Sequence, residues 1–460
     1  MRKKIFSIIA ICIFIAMTTS CAAEAPELLS FMGDASDFSK ADFGGRTVYI
    51  GVQEINSDGL VPIPEDTSTK ADTQWEIINR VQSSLNCEIK EHVIDFKNVL
   101  ASIISDNCKT DMFYTHTAVL RDLIEADVLY DINKMEGIDL SNESKWGSAQ
   151  DQRHRTYQGK VFGVKPRTAS STYGSLEGVM MVNDALIKRF GQPTPKELLE
   201  QGNWTFDYFP DYLVSVSDMN ADTPIYGMTH YMGQLCQLPL TAVFANGSSI
   251  LVEDSYGGLK FNLLDDNKAK TALEWSKEVY DTGVVFEDNY DGTNAGFFSN
   301  GRSSLWLGGA WVGTTNREGF PLNEMNEGFS FMCMPYGPDA VYGETYSSFI
   351  FVSNCIAVPI SSDEYEMSSF LNEFCSELSE EDMNALADET RNYYFFHPED
   401  YDFVLDMADN AVYTYLYGEL DKVRDVILDS LEGITKGSGT VSESLSSIIG
   451  KVEAELENIK

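Results

Sequence analysis

Histidine is nearly missing from this chain: five in 460 residues, and no HExxH motif of the kind that builds a zinc protease. Basic residues are scarce too, 33 Lys and Arg against 71 Asp and Glu, for a net charge of −38. That balance argues against nucleic acid and anionic lipid as partners, because either polyanion would be repelled. The cysteines form no CxxC pair and do not cluster with histidine, so structural zinc is not expected. Neither GxSxG nor GxxxxGK[ST] occurs, which removes the serine-hydrolase elbow and the phosphate-cradling loop. Acidic pairs are abundant, but among so many acids a pair such as Asp265-Asp266 carries no weight as a glycosidase couple. The acid-rich stretches 218–224 and 287–294 lack EF-hand spacing and read as turns. No catalytic residue, metal or cofactor is expected.

Long apolar runs are missing as well, with one exception. Ile5 to Met17 follows Arg2, Lys3 and Lys4 and is shorter than the roughly 18 residues a spanning helix needs. It reads as a secretion signal over residues 1–20. Thr18-Thr19-Ser20-Cys21 resembles a bacterial lipobox, with Thr18 where Leu is usual. The resemblance implies cleavage before Cys21, a lipid on its thiol, and residues 21–43 as a weakly structured linker on the outer face of the cell membrane.

The remainder is rich in what cores need, 43% apolar and 12% aromatic residues, enough for two or three domains. From residue 46 strand-like and helix-like segments alternate. "RTVYIGV" is β-branched and aromatic; "TQWEIINRVQSSL" places Trp75, Ile78, Val81 and Leu85 on one helical face; "CEIKEHVI" reads as a strand. "FKNVLASIIS" carries Phe96, Val99, Leu100, Ile103 and Ile104 at helical spacing before the short strand "DMFYT". Such alternation predicts an α/β unit with a largely parallel sheet, whose ligands meet the chain where strands end. A helix capped by Thr205 is expected in "NWTFDYFPDYLVSVS", another in "DNKAKTALEWSKEVYDTG", and mostly helix from 363 to 460. Cys87, Cys108, Cys236, Cys333, Cys355 and Cys375 are open to pairing in an oxidising space or to burial as free thiols.

Several segments, in order, resemble bacterial extracellular solute-binding proteins of the family that includes maltose-binding protein, the receptors of ATP-driven importers. They are "GKVFGVKPR…VMMVNDALIKRFG", "GNWTFDYF", "FANGSSILVED" with "LLDDNKAKTALEWSKEVYDTGVV", and "FFSNGRSSLWLGGAWVG". The resemblance implies a two-lobed α/β fold of the periplasmic-binding-protein type II class, with a hinge and an interlobe cleft. Lobe 1 maps to 44–166 plus 348–390 and lobe 2 to 170–335 plus 391–460, with crossings at 167–169 and 336–347. It also implies an ABC permease partner, no chemical step, and a protein acting as a monomer; a surface-anchored carbohydrate-active hydrolase and a ligand-sensing subunit for a membrane sensor kinase stay open as alternatives.

Sugars offer hydroxyls and a weakly apolar C–H face, so receptors pair aromatics with polar side chains. Trp311, after the turn Gly308-Gly309-Ala310, is the first candidate for the cleft, and Trp306 in "SSLWLG" is expected in the core. Tyr114 and His116 end the "DMFYT" strand, and Glu54 follows "RTVYIGV". Arg167 lies in the first crossing, and Gln234 and Gln237 on a loop before "LPLTAVFANG". The aromatic content and the few cations favour a neutral oligosaccharide.

Overall fold

The alternating segments build two separate sheets, seen in a computed structural model that describes residues 40–54, 59–167, 175–253, 258–314 and 321–458. In the first, Thr47–Val52 lies between Met112–His116 and Glu88–Val93, parallel to both, and Asn354–Ala357 adds an antiparallel edge beside Met112–His116. Parallel neighbours require crossovers. Helices Thr69–Leu85 and Phe96–Ile104 supply them. Ser68 caps the first helix by accepting from the Ala71 N–H, and Asn86 ends it in the left-handed conformation. On the second helix Val99 and Ile103 are buried, whereas Ile104 is 71% exposed. At 100° per residue, position 104 turns away from that stripe.

The expected linker is shorter than its predicted bounds 21–43. Ala41 and Phe43 are buried in the first core, and Lys40 pairs with Glu373 at 2.8 Å. Two apolar side chains there favour docking over tethering. Residues 1–39, including the signal segment and Cys21, lie outside the described residues.

The second sheet runs Val285–Phe286, Tyr226–His230, Ser303–Gly308, Val179–Val182 and Ser330–Met332. Its core is larger and aromatic. Trp275 stacks on Phe206 with centroids 3.8 Å apart and donates its indole N–H to Phe206 O at 2.8 Å. Trp204 donates to Cys333 O at 3.0 Å. Thr205 does not cap a helix as expected: the helix begins at Phe209, with Pro210 in its first turn, and Thr205 bridges Tyr336 instead. The last helix, Val441–Asn458, buries Val441, Leu445, Ile448, Val452 and Leu456, the stripe its sequence predicts.

Between the sheets lies a third, made of Leu176–Glu177, Phe349–Ile350 and Val412–Tyr413. The predicted crossing at 336–347 leads into its middle strand; of the crossing at 167–169 only Arg167 is described. Val412–Tyr413 lies within a region expected to be helical and wholly in lobe 2, yet it returns to this junction. Gly178, at φ +73°, turns the chain from the junction strand into Val179–Val182. A further connection is helix Glu380–Tyr394, which buries no residue. In its C-terminal part Glu389 accepts from the Thr69 and Lys70 N–H groups (2.8 and 3.2 Å), and just past that same end Phe395 and Phe396 pack on Phe331 and Phe329. All six described cysteines are free thiols, and burial pushes those of Cys333, Cys355 and Cys375 up to about 12.

Candidate functional site

Strand Ser303–Gly308 divides its two tryptophans by function. Trp306 is 1% exposed, points into the core and donates to Thr293 O at 3.2 Å. Trp311, on the short helix Ala310–Gly313, is half-buried and donates its indole N–H to Glu177 Oε1 at 3.2 Å. Tyr231 meets the Trp311 ring edge-on with centroids 5.3 Å apart. Gly309 does not serve as the flexible turn expected of it, since its φ of −88° suits any residue. Its bareness is steric: a Cβ there would fall on the Trp311 indole and 2.8 Å from Glu177 Oε1. The glycine therefore lets the indole fold back onto the carboxylate.

Glu177 is the residue that sequence reasoning missed. It sits in the junction sheet opposite Phe349, and its Oε2 is sheltered with no hydrogen-bond partner among the described residues. Burial raises its carboxyl to about 7, partly offset by the Trp311 N–H. Tyr231 and Tyr417 lie close enough that the Glu177 charge adds to burial in raising their phenols. Phe351 packs on Tyr417, with centroids 5.1 Å apart. A signal was available: in "SLEGVMMV" a lone acid enters an otherwise apolar run, and such an acid is either solvated or held for a purpose.

The titration has a testable sign. A carboxyl whose folded pKa exceeds its unfolded value binds protons more readily when folded. Its contribution to stability is full below about 4.5 and is lost as pH rises towards 7. Glu177→Gln should thus gain melting temperature relative to the parent as pH climbs through that window. The fluorescence difference between the parent and Trp311→Phe should titrate near pH 7. An identical titration in the Glu177→Gln background would remove Glu177 as its source.

Candidates on the first sheet gather at the same end of its strands. Thr115 donates to Gln53 Oε1 at 3.0 Å, and Glu54 is exposed just beyond. His116 pairs across the ladder with Asn354; its Nδ1 is sheltered with no partner among the described residues, and burial lowers its pKa. Tyr114, expected at the strand end with His116, is 7% exposed and packs in the first core. Period-two alternation aims it at the sheet face rather than past the strand end. Arg167 is exposed, and Lys165, two residues earlier, is buried, with its ammonium pKa pushed down to about 8.

On the second-lobe side, Gln234 is exposed on the loop that carries Tyr231. Gln237 is not on that loop as expected. It begins helix Gln237–Ala245 and is 2% exposed, its Oε1 unpartnered among the described residues. The two groups are joined through the junction. Glu177 pairs with Phe349 and His116 with Asn354, and those partners are five positions apart in the chain. Their Cα atoms therefore lie within roughly 27 Å of each other. Elements of the two lobes also touch directly. Arg153 reaches Glu419 at 3.3 Å and lies over the Tyr413 ring, and Lys422 bridges Glu125 and Glu455 at 3.5 and 3.6 Å.

No protein-family model and no curated protein matches the chain by sequence. Solved structures do match its fold. The cyclic α-maltosyl-1,6-maltose binding protein of Arthrobacter globiformis superposes with a TM-score of 0.64 at 16% identity, over 90% of this chain and all of that one. The sugar-binding protein MalE of Xanthomonas citri gives 0.61 at 11%, over 90% and 98%. The GacH receptor of Streptomyces glaucescens, solved unliganded and with acarbose, gives 0.59 at 14%, over 90% and 100%. The chain thus has the two-lobed α/β fold of periplasmic sugar-binding proteins.

Proposed function

We propose that the chain is an extracellular solute-binding receptor that captures an oligosaccharide between its lobes and delivers it to an ABC permease. The observation that carries this reading is the Trp311–Glu177 pair. A half-buried indole stands beside a carboxylate whose second oxygen has no donor among the described residues, at the junction of two lobes whose fold is shared with sugar-binding proteins. An aromatic face stacks on sugar C–H groups and the carboxylate takes a hydroxyl, the division of labour that sugar recognition requires. His116, Gln53 and Glu54 on the first lobe, with Arg167 at the crossing, supply the facing polar groups. Closure then shifts an open/closed equilibrium, because the closed form adds contacts from both lobes to one ligand. The reading includes export through the N-terminal signal and lipid attachment at Cys21 on the outer face of the membrane, from which the receptor docks on its permease without catalysing a reaction.

A ligand that binds only the folded state raises its melting temperature. Linear and cyclic maltodextrins, present at about 100 times their dissociation constant, should each stabilise the purified protein by about 2.7 kcal/mol and be recovered intact. A shift with amino acids and none with any glycan would remove the sugar reading, and glycan cleavage would replace the receptor with a hydrolase.

A further inference from the structure

A cavity of about 180 Å³ lies apart from the Trp311–Glu177 pair, between the 336–347 crossing and helix Asp400–Asp409. Three tyrosines of the crossing line it, Tyr336, Tyr342 and Tyr346, with Phe403, Asp406 and Met407 of the helix. Tyr342 is 69% exposed, and its ring meets Tyr336 with centroids 5.4 Å apart, inclined at 59°.

We propose that this cavity binds a small organic cation of the alkylammonium class. Its volume is below the roughly 300–1,000 Å³ of pockets for drug-sized ligands, so the occupant has few heavy atoms. An anion is disfavoured, because no Lys or Arg is among the lining residues and Asp406 contributes a carboxylate. A neutral sugar is disfavoured for a different reason: most of the lining is aromatic or apolar, and the hydroxyls in it already bond to the chain. Thr345 Oγ1 accepts from the Val341 N–H at 2.9 Å, Ser347 Oγ from the Met334 N–H at 3.2 Å, and the Tyr346 hydroxyl reaches Gly343 O and Asp406. Aromatic rings and the charge of Asp406 remain, its carboxylate held by the Tyr346 hydroxyl and by Asn410 Nδ2, which donates to Oδ1 at 3.3 Å. That combination attracts a cation through the ring quadrupoles and the full charge, and asks for few hydrogen bonds. The strongly acidic chain adds a favourable field.

The test is calorimetric titration of the full chain with tetramethylammonium chloride and choline chloride, against sodium chloride of equal ionic strength and glucose. Saturable binding of both ammonium ions is expected, weakened at least about fivefold by Tyr342→Ala and by Asp406→Asn. Because Tyr342 is exposed, its replacement leaves the core intact. Trp311→Ala should leave ammonium binding unchanged, which separates this site from the sugar reading. Absence of saturable binding, equal affinity in Tyr342→Ala, or a Tyr342-dependent preference for glucose would each overturn the proposal.

Discussion

Trp311→Ala is expected to weaken oligosaccharide binding by at least about thirtyfold, the effect of losing a central aromatic anchor worth about 2 kcal/mol or more. The loss has two parts. The stacking face disappears, and Glu177 Oε1 loses its indole donor, so the carboxylate that takes a ligand hydroxyl is no longer held in place. The folded state is disturbed much less, because Trp311 is only half-buried and its edge contact with Tyr231 is worth about 0.5–1.5 kcal/mol. Trp306 provides the contrast: at 1% exposure, its truncation to alanine should cost about 3–5 kcal/mol in stability. Calorimetry with the best maltodextrin and urea unfolding of both variants measure the two effects separately. Unchanged affinity in Trp311→Ala would take the indole out of the site.

Gly178→Ala should destabilise the protein by about 2–5 kcal/mol, from two additive causes. Alanine at φ +73° costs roughly 1–2 kcal/mol. Its Cβ would then lie 2.9 Å from the Phe349 ring and 3.0 Å from Ser347 O, and crowding of this kind adds about 1–3 kcal/mol. Phe349 is fully buried and cannot retreat. Gly159→Ala isolates the first cause, because Gly159 has the same backbone sign, φ +74°, with nothing within 4 Å of the added methyl. Equal urea midpoints for the two variants would show that the junction does not resist the methyl.

What could be read from the sequence follows from how many residues carry each signal. Helix Thr69–Leu85 and helix Val441–Asn458 have apolar periods sustained over four or more turns, and both were legible. Strand Val412–Tyr413 has two residues, too few for any period, so its return to the junction was invisible. The same limit hid Glu177, whose strand is also two residues long and whose importance comes from Trp311, 134 positions away. Gly309 was recognised as special for the wrong reason. Sequence reports a missing side chain, but whether the chain needs freedom or space depends on the neighbours that folding brings. Tyr114 illustrates the reverse case: a strand end is easy to locate, whereas the direction of a side chain near it depends on register.

Helix Glu380–Tyr394 has a mechanical consequence. With no residue buried the helix takes little from the core along its sides, and its anchors gather towards its C-terminal end: Glu389 on the start of helix Thr69–Leu85, and Phe395 and Phe396, just past the last turn, on the second lobe. Six residues at 1.5 Å of rise put the two grips about 9 Å apart. The helix therefore works as a pin rather than a strut: it fastens the lobes to each other over one short stretch.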